Sequence, residues 1–169
     1  MSSPAEVVSA RVQNTWTANV KLKDAAAAAD QTVNTNQLNP GQSSYSPTTD
    51  VPVKYHAAEE ITLVAGAATI DLTDVKEAAT GASIDGTGMK VQAMRIQGNA
   101  GNSGLNIAPG AANPYPLLGA ANDIDYPAGC TAPFCFEFQD LLADIAAGVK
   151  EIDLAGVGVE KWKIEFLIG

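Results

Sequence analysis

The sequence predicts an all-β fold, an antiparallel β-sandwich or jelly roll, and three observations predict it. Apolar residues recur at every second position in several short segments, the period of a half-buried strand. Clusters of Gly, Pro, Asn and Asp break these segments about every 8 to 12 residues. Nowhere does the three-to-four-residue apolar spacing of a long amphipathic helix persist.

The elements follow in chain order. Residues 15–22 alternate, with Trp16, Ala18, Val20 and Leu22 on one side and Thr17, Asn19 and Lys21 on the other. Residues 25–29 are alanines, a run too short to hold a helix alone. Residues 34–50 are mostly Asn, Gln, Ser, Thr and Pro, the composition of a loop or an extended arm. Two regions therefore result: residues 1–50, an N-terminal strand with a polar arm, and residues 51–169, the sandwich. Within the second, Ile61 and Leu63, then Ile70 and Leu72, flank a turn at Ala65-Gly66-Ala67. Asp85-Gly86-Thr87-Gly88 is a further turn. The strand after it, residues 89–97, changes apolar phase between Ala93 and Met94, which requires two covered faces or a bulge. A flexible hairpin loop spans residues 98–104. Short strands are expected near residues 105–107, 115–118 and 124–126, and one helical turn near 141–147. Phe134, Phe136 and Phe138 form a stripe at a spacing of two, which reads as core. The last strand alternates Trp162, Ile164, Phe166 and Ile168 with Lys161, Lys163 and Glu165. An internal echo pairs residues 65–73 with residues 147–155, each a Gly-containing turn followed by Ile-Asp-Leu.

Composition limits function. At 169 residues and 46% hydrophobic, the chain can bury a core without a metal or disulfide staple. Ten basic residues stand against 19 acidic ones, a net charge of −9. Nucleic-acid surfaces need clustered Lys and Arg to neutralise phosphate, so nucleic acid is not expected as a partner, and neither is an anionic membrane. The expectation is a chain that folds in a cytoplasm: no stretch approaches the ~20 apolar residues of a membrane span, and the first residues do not read as a secretory signal.

The search for chemistry yields no catalytic, cofactor-binding or metal-binding residues, and the expectation is that the chain is not an enzyme. One histidine, His56, allows at most one Ser-His pair, and no serine lies in a nucleophile elbow. Cys130 and Cys135 with one distant histidine cannot make a zinc site; a disulfide and two reduced thiols both remain open. Glu59-Glu60, Asp123 with Asp125, and Asp140 with Asp144 are acid clusters that read as solvated surface, and residues 122–125 carry only a fragment of a calcium loop. The glycines of 81–86 and 98–104 lack phosphate-cradle spacing.

Several segments resemble small tailed-phage virion proteins of the auxiliary capsid, or head-decoration, type. They are Ile70-Asp71-Leu72, the run from Asp85-Gly86-Thr87-Gly88 to Ala93 with the Asn-rich loop after it, Ile107-Ala108-Pro109-Gly110, Leu118-Gly119, Ala147-Gly148 before Ile152-Asp153-Leu154, and the closing Ile164-Glu165-Phe166-Leu167-Ile168-Gly169. The resemblance covers roughly residues 58–169 and departs from the pattern between Cys130 and Cys135. It implies a virion location, binding to a major capsid protein, and a homo-oligomer, with a trimer favoured. Acidity agrees with the outer side of a shell, and a polar arm suits reaching a neighbouring subunit. A carbohydrate-binding or adhesive β-sandwich of a fibre or spike is the alternative, which exposed Trp and Tyr rings would favour.

Overall fold

The computed structural model describes residues 6–7, 10–13, 18–22, 31–35, 42–46, 48–119, 122–138 and 141–169, with the backbone alone between residues 11 and 44. These residues form two compact units, Ala10–Ser44 and Tyr45–Gly169, the latter together with the first residues of the chain. The smaller unit holds β1 (Ala10–Gln13), β2 (Ala18–Leu22), β3 (Gln31–Thr35) and most of β4 (Gln42–Tyr45). β1 pairs with β4, and β2 pairs antiparallel with β3, with Val20 opposite Val33. Part of the segment read as a loop or arm is thus strand. Trp16 and the alanines of residues 25–29 lie outside the described residues.

The larger unit is all-β. Its strands are β5 (Tyr55–Thr62), β6 (Ala67–Asp71), β7 (Val75–Lys76), β8 (Ser83–Ile84), β9 (Val91–Gln97), β10 (Leu105–Pro109), β11 (Ile124–Tyr126), β12 (Phe134–Glu137), β13 (Glu151–Ala155) and β14 (Lys161–Ile168). Two four-stranded antiparallel sheets have the orders β11-β10-β13-β6 and β12-β9-β14-β5. Apart from the small β7–β8 ribbon, the first strand in chain order lies beside the last and the third beside the sixth. In the other sheet the second lies beside the seventh and the fourth beside the fifth. That is the topology of a jelly roll.

Alternation explains the core. From the β5 sheet, Ala57, Met94, Ile96, Trp162, Ile164, Phe166 and Ile168 are buried; from the β6 sheet, Ile70, Leu105, Ile107, Ile124, Tyr126, Ile152 and Leu154 meet them. Trp162 makes a cross-sheet contact, with its ring edge-on to Tyr126 at 5.2 Å between centroids, and Tyr126 also meets Phe134 of the other sheet at 4.6 Å. Phe134 and Phe136 pack against this core and Phe138 is buried, so the aromatic stripe is core. The phase change in β9 is a bulge: Leu167 faces Ala93 but Ile168 faces Val91, leaving Gln92 as the extra residue.

Four sequence readings are sharpened or changed in the structure. The turn at Ala65-Gly66 is a two-residue turn with both residues at positive φ (53° and 86°), closed by reciprocal bonds between Val64 and Ala67. It joins β5 to β6, which belong to different sheets, so the chain crosses the sandwich there. Residues 98–104, read as a hairpin loop, likewise carry β9 in one sheet to β10 in the other. A local pattern of strand, turn and strand is the same for a hairpin and for an arch. The helical turn near 141–147 is absent. Ile145 N–H donates to Met89 O (2.7 Å), and Ile145 O accepts from Gly88 (2.9 Å), which draws the segment into extended contacts with the preceding loop. The stretch at 115–118 is irregular chain pinned by Tyr115, whose buried hydroxyl accepts from Val91 N–H and donates to Ala143 O, each at 3.0 Å. Burial pushes the Tyr115 phenol up to about 12.

The internal echo has a simple outcome. β6 and β13 are antiparallel neighbours in one sheet, with Ile70 opposite Ile152.

Candidate functional site

The structure separates the residues singled out as chemical candidates. Cys130 packs against the core and Cys135 stands in register with Arg95 on the outer face of the β5 sheet, both as free thiols. Burial raises the Cys135 thiol. His56 lies on that same outer face, with Nε2 3.6 Å from Glu165 Oε2, and its backbone oxygen accepts from Ala78. Glu59 accepts the Lys76 amide (2.7 Å), whereas its neighbour Glu60 pairs with Lys161 (2.7 Å). Asp123 and Asp125 both accept from the Asn106 amide group, at 2.6 and 2.9 Å. Asp144 lies 3.9 Å from Lys90, and Asp140 is outside the described residues. The Asp85-Gly86 turn is held by its own side chains, where Asp85 accepts from the Thr87 amide and hydroxyl and these bonds lower the Asp85 carboxyl, whereas the 98–104 loop is tied to β14 by Asn102 donating to Lys161 O (2.8 Å).

Three surface features remain once the core is accounted for. The first is the outer face of the β6 sheet, where alternation places Asp71, Asp123, Asp125, Glu151 and Asp153 on one side. Their partners are mostly neutral. Asn106 serves Asp123 and Asp125, Asn113 serves Glu151 (2.9 Å), and the Thr69 hydroxyl (2.6 Å) and Ala111 amide (2.8 Å) serve Asp153. Lys150 pairs with Asp71. Burial acts to raise the Asp71 carboxyl, but hydrogen bonds from Lys150 and from Thr73 together hold it below its ordinary value.

The second feature is the outer face of the β5 sheet, which is balanced. Arg95 pairs with Glu165 and Lys161 with Glu60, while Lys163 stands directly opposite Glu60. Glu137 accepts from the hydroxyl of Tyr45 (2.9 Å), and Tyr45 and Ala93 are both buried on this side.

The third feature is one end of the sandwich. Here the β5–β6 turn and the β13–β14 loop are bonded through Gly66 N–H to Gly158 O (2.8 Å) and Gly156 N–H to Gly66 O (2.7 Å). A side chain at Gly66 would meet Gly156 O at 2.7 Å, so only glycine permits this approach. The joined turns present Val64, Val157 and Val159 at 75%, 56% and 74% exposure. These are three of the five large hydrophobic side chains that stand exposed among the described residues, the others being Leu118 and Leu141. Sequence reading missed the valines. The available signal was Val64 directly after Leu63, which breaks the alternation of β5.

The comparisons with known proteins are sparse. No family model matches the chain, and no curated protein matches it. Among solved structures, a chain from Bacillus endospore appendages, described as a novel family of disulfide-linked pili, aligns at 14% identity. The alignment covers 66% of this chain and 84% of that one, with a TM-score of 0.34.

Proposed function

We propose that this chain is a virion structural protein of a tailed phage, an auxiliary capsid protein that binds the major capsid protein and stabilises the shell. The observation that carries the reading is the exposed valine end formed by Val64, Val157 and Val159, an apolar surface suited to docking or self-assembly. The jelly-roll sandwich supports it as an architecture used in capsids, although the same architecture also serves lectins. Net acidity supports an outward-facing position, because a genome-facing protein gains from basic residues. A carbohydrate-binding module would present flat aromatic rings to solvent. Here Tyr45, Tyr115, Tyr126 and Trp162 are buried and Tyr55 is partly buried, so no tyrosine or tryptophan among the described residues stands fully exposed.

The test is cosedimentation of the purified chain with phage shells, alongside mass photometry of the chain alone. The wild-type chain should bind shells and self-associate, favouring a trimer. Val64→Ser, Val157→Ser and Val159→Ser combined should reduce shell binding while leaving the thermal melt unchanged, since all three side chains are exposed. A strictly monomeric chain that ignores the shells would overturn the reading.

A further inference from the structure

We propose that the open edge of β6 receives an extended, lysine- or arginine-bearing segment of a partner protein, which adds to the acidic sheet as a fifth strand. The inference deepens the assembly reading above and rests on it for the identity of the partner, though not for the chemistry.

Ladder geometry fixes the edge. In an antiparallel pair, residues alternate between exchanging hydrogen bonds with the partner strand and directing their backbone groups away from it. Leu72 N–H donates to Lys150 O (2.9 Å) and Gly156 N–H donates to Gly66 O (2.7 Å), so both ends of the β6–β13 ladder share one parity. Ala68 and Ile70 therefore bond to β13, while Ala67, Thr69 and Asp71 direct their backbone outward. Ala67 is satisfied by Val64, and Asp71 O accepts from Asp74 (3.0 Å). The Thr69 N–H, Thr69 C=O and Asp71 N–H point off the edge and have no backbone partner among the described residues.

Sandwich edges are ordinarily guarded by lysine, proline, bulges, brevity or a covering segment. The edge of β5 is partly covered by β7, through the Ala57–Glu77 bridge and the Ala78 to His56 bond. β11 is three residues long and is followed by Pro127. β6 reads Ala-Ala-Thr-Ile-Asp, with no lysine, proline or bulge.

Charge selects the occupant. The outward side chains of an added strand would lie beside Thr69 and Asp71, with Asp153 one strand further in. A segment with a basic residue at every second position places its cations on that acidic face. A second copy of this chain carries the same net −9 and meets repulsion instead.

The experiment uses the whole chain and a fluorescein-labelled seven-residue peptide of alternating lysine and valine, read by fluorescence anisotropy in low salt. Two controls are a valine–glutamate peptide and a lysine–valine peptide N-methylated at alternate residues along one backbone edge. The lysine–valine peptide should bind, and the glutamate peptide should not. N-methylation should weaken binding about tenfold, since it removes strand bonds but keeps the charge. Thr69→Pro should do the same: its N–H faces away from the ladder, the edge position where a strand tolerates proline. Equal binding of the methylated peptide would mean attraction by charge alone and would overturn the proposal, as would no binding of the unmodified peptide. Shell cosedimentation separates the two readings. If Thr69→Pro binds shells like the wild type, the edge is not the capsid contact while the assembly role stands. If the peptide binds but shells do not, the edge stands and the capsid assignment falls.

Discussion

On the outer face of the β5 sheet, carboxylates and cations answer each other: Arg95 with Glu165, Lys161 with Glu60. On the outer face of the β6 sheet, four of the five carboxylates are held by amides, hydroxyls and backbone N–H groups, and only Asp71 has a lysine. The strands are built alike, with the same alternation and the same antiparallel pairing. The difference lies in what stands at the outward positions. A carboxylate bound by a neutral donor is oriented but keeps its charge, so the β6 face projects a negative field that ion pairing largely cancels on the other side. The net charge of −9 is therefore not a uniform coat for solubility; much of it is gathered on one side of a two-layer fold.

Both faces depend on one core, so the largest expected effect abolishes the comparison altogether. Trp162 extends from the β5 sheet to Tyr126 of the β6 sheet, and its ring closes on Gly98, where a Cβ would lie 2.6 Å away. Trp162→Ala should cost about 3–5 kcal/mol through lost burial and the cavity left behind. Urea unfolding followed by circular dichroism would measure this as a lower midpoint with both sheets lost in one transition. A loss below roughly 1 kcal/mol would mean that the two layers do not share this contact.

The core was the most legible part of the sequence, for a physical reason. Trp162, Ile164, Phe166 and Ile168 face inward because burial is decided residue by residue through alternation, and alternation is local. The bulge in β9 was also local, visible as a phase change, although the extra residue is Gln92, just before the change. Sheet membership was not legible. Ala65-Gly66 and residues 98–104 look like hairpin turns, and only long-range packing sends the strands they join to opposite sheets. The candidate surface was the least legible. Val64 and Val157 are 93 positions apart in number, and the bonds through Gly66 that unite their turns leave no trace in either segment alone. The acid clusters were visible as Asp123 with Asp125, but their merging with Asp71, Glu151 and Asp153 needed the strand order.

Acid titration sharpens the contrast at intermediate size. Asp71 is held below its ordinary value of 3.8 in the folded chain, and Glu60 below 4.5 by Lys161. A depressed carboxyl adds stability that is complete above its unfolded value and is lost as pH falls through the folded one. Melting temperature should therefore stay level down to about pH 5 and decline below about pH 4. The two faces should share this decline unequally. The Asp71–Lys150 side chains are 38% and 22% exposed, against 49% and 56% for Glu60–Lys161, and water screens the second pair more. Asp71→Asn should flatten the acid limb more than Glu60→Gln; the reverse order would mean that ion pairing on the β5 face matters more than its exposure allows.

The smallest effect is the most direct probe of the field itself. Asp125→Lys inserts a cation among the carboxylates of the β6 face, beside Asn106 and near Asp123. It should stabilise the chain by roughly 0.2–1 kcal/mol, less the bond that Asp125 accepts from Asn106. Lys163→Glu on the β5 face, directly opposite Glu60, should destabilise by a similar amount, because like charges face each other across strands. The signs are opposite, and the two exchanges also change the net charge in opposite directions. Net charge alone predicts the same two signs, since Asp125→Lys moves −9 to −7 and Lys163→Glu moves −9 to −11, but as a global trend spread over every surface position. The local account is distinguished by moving the same lysine. Placed at Glu165 it should destabilise, since it removes the partner of Arg95 and His56 while making the same change in net charge. Thermal melts at low salt would show the split, and about 1 M salt, with a screening length near 3 Å, should shrink all three differences. If the lysines at Asp125 and Glu165 shift stability equally, the charge is effectively uniform and the two faces do not differ in kind.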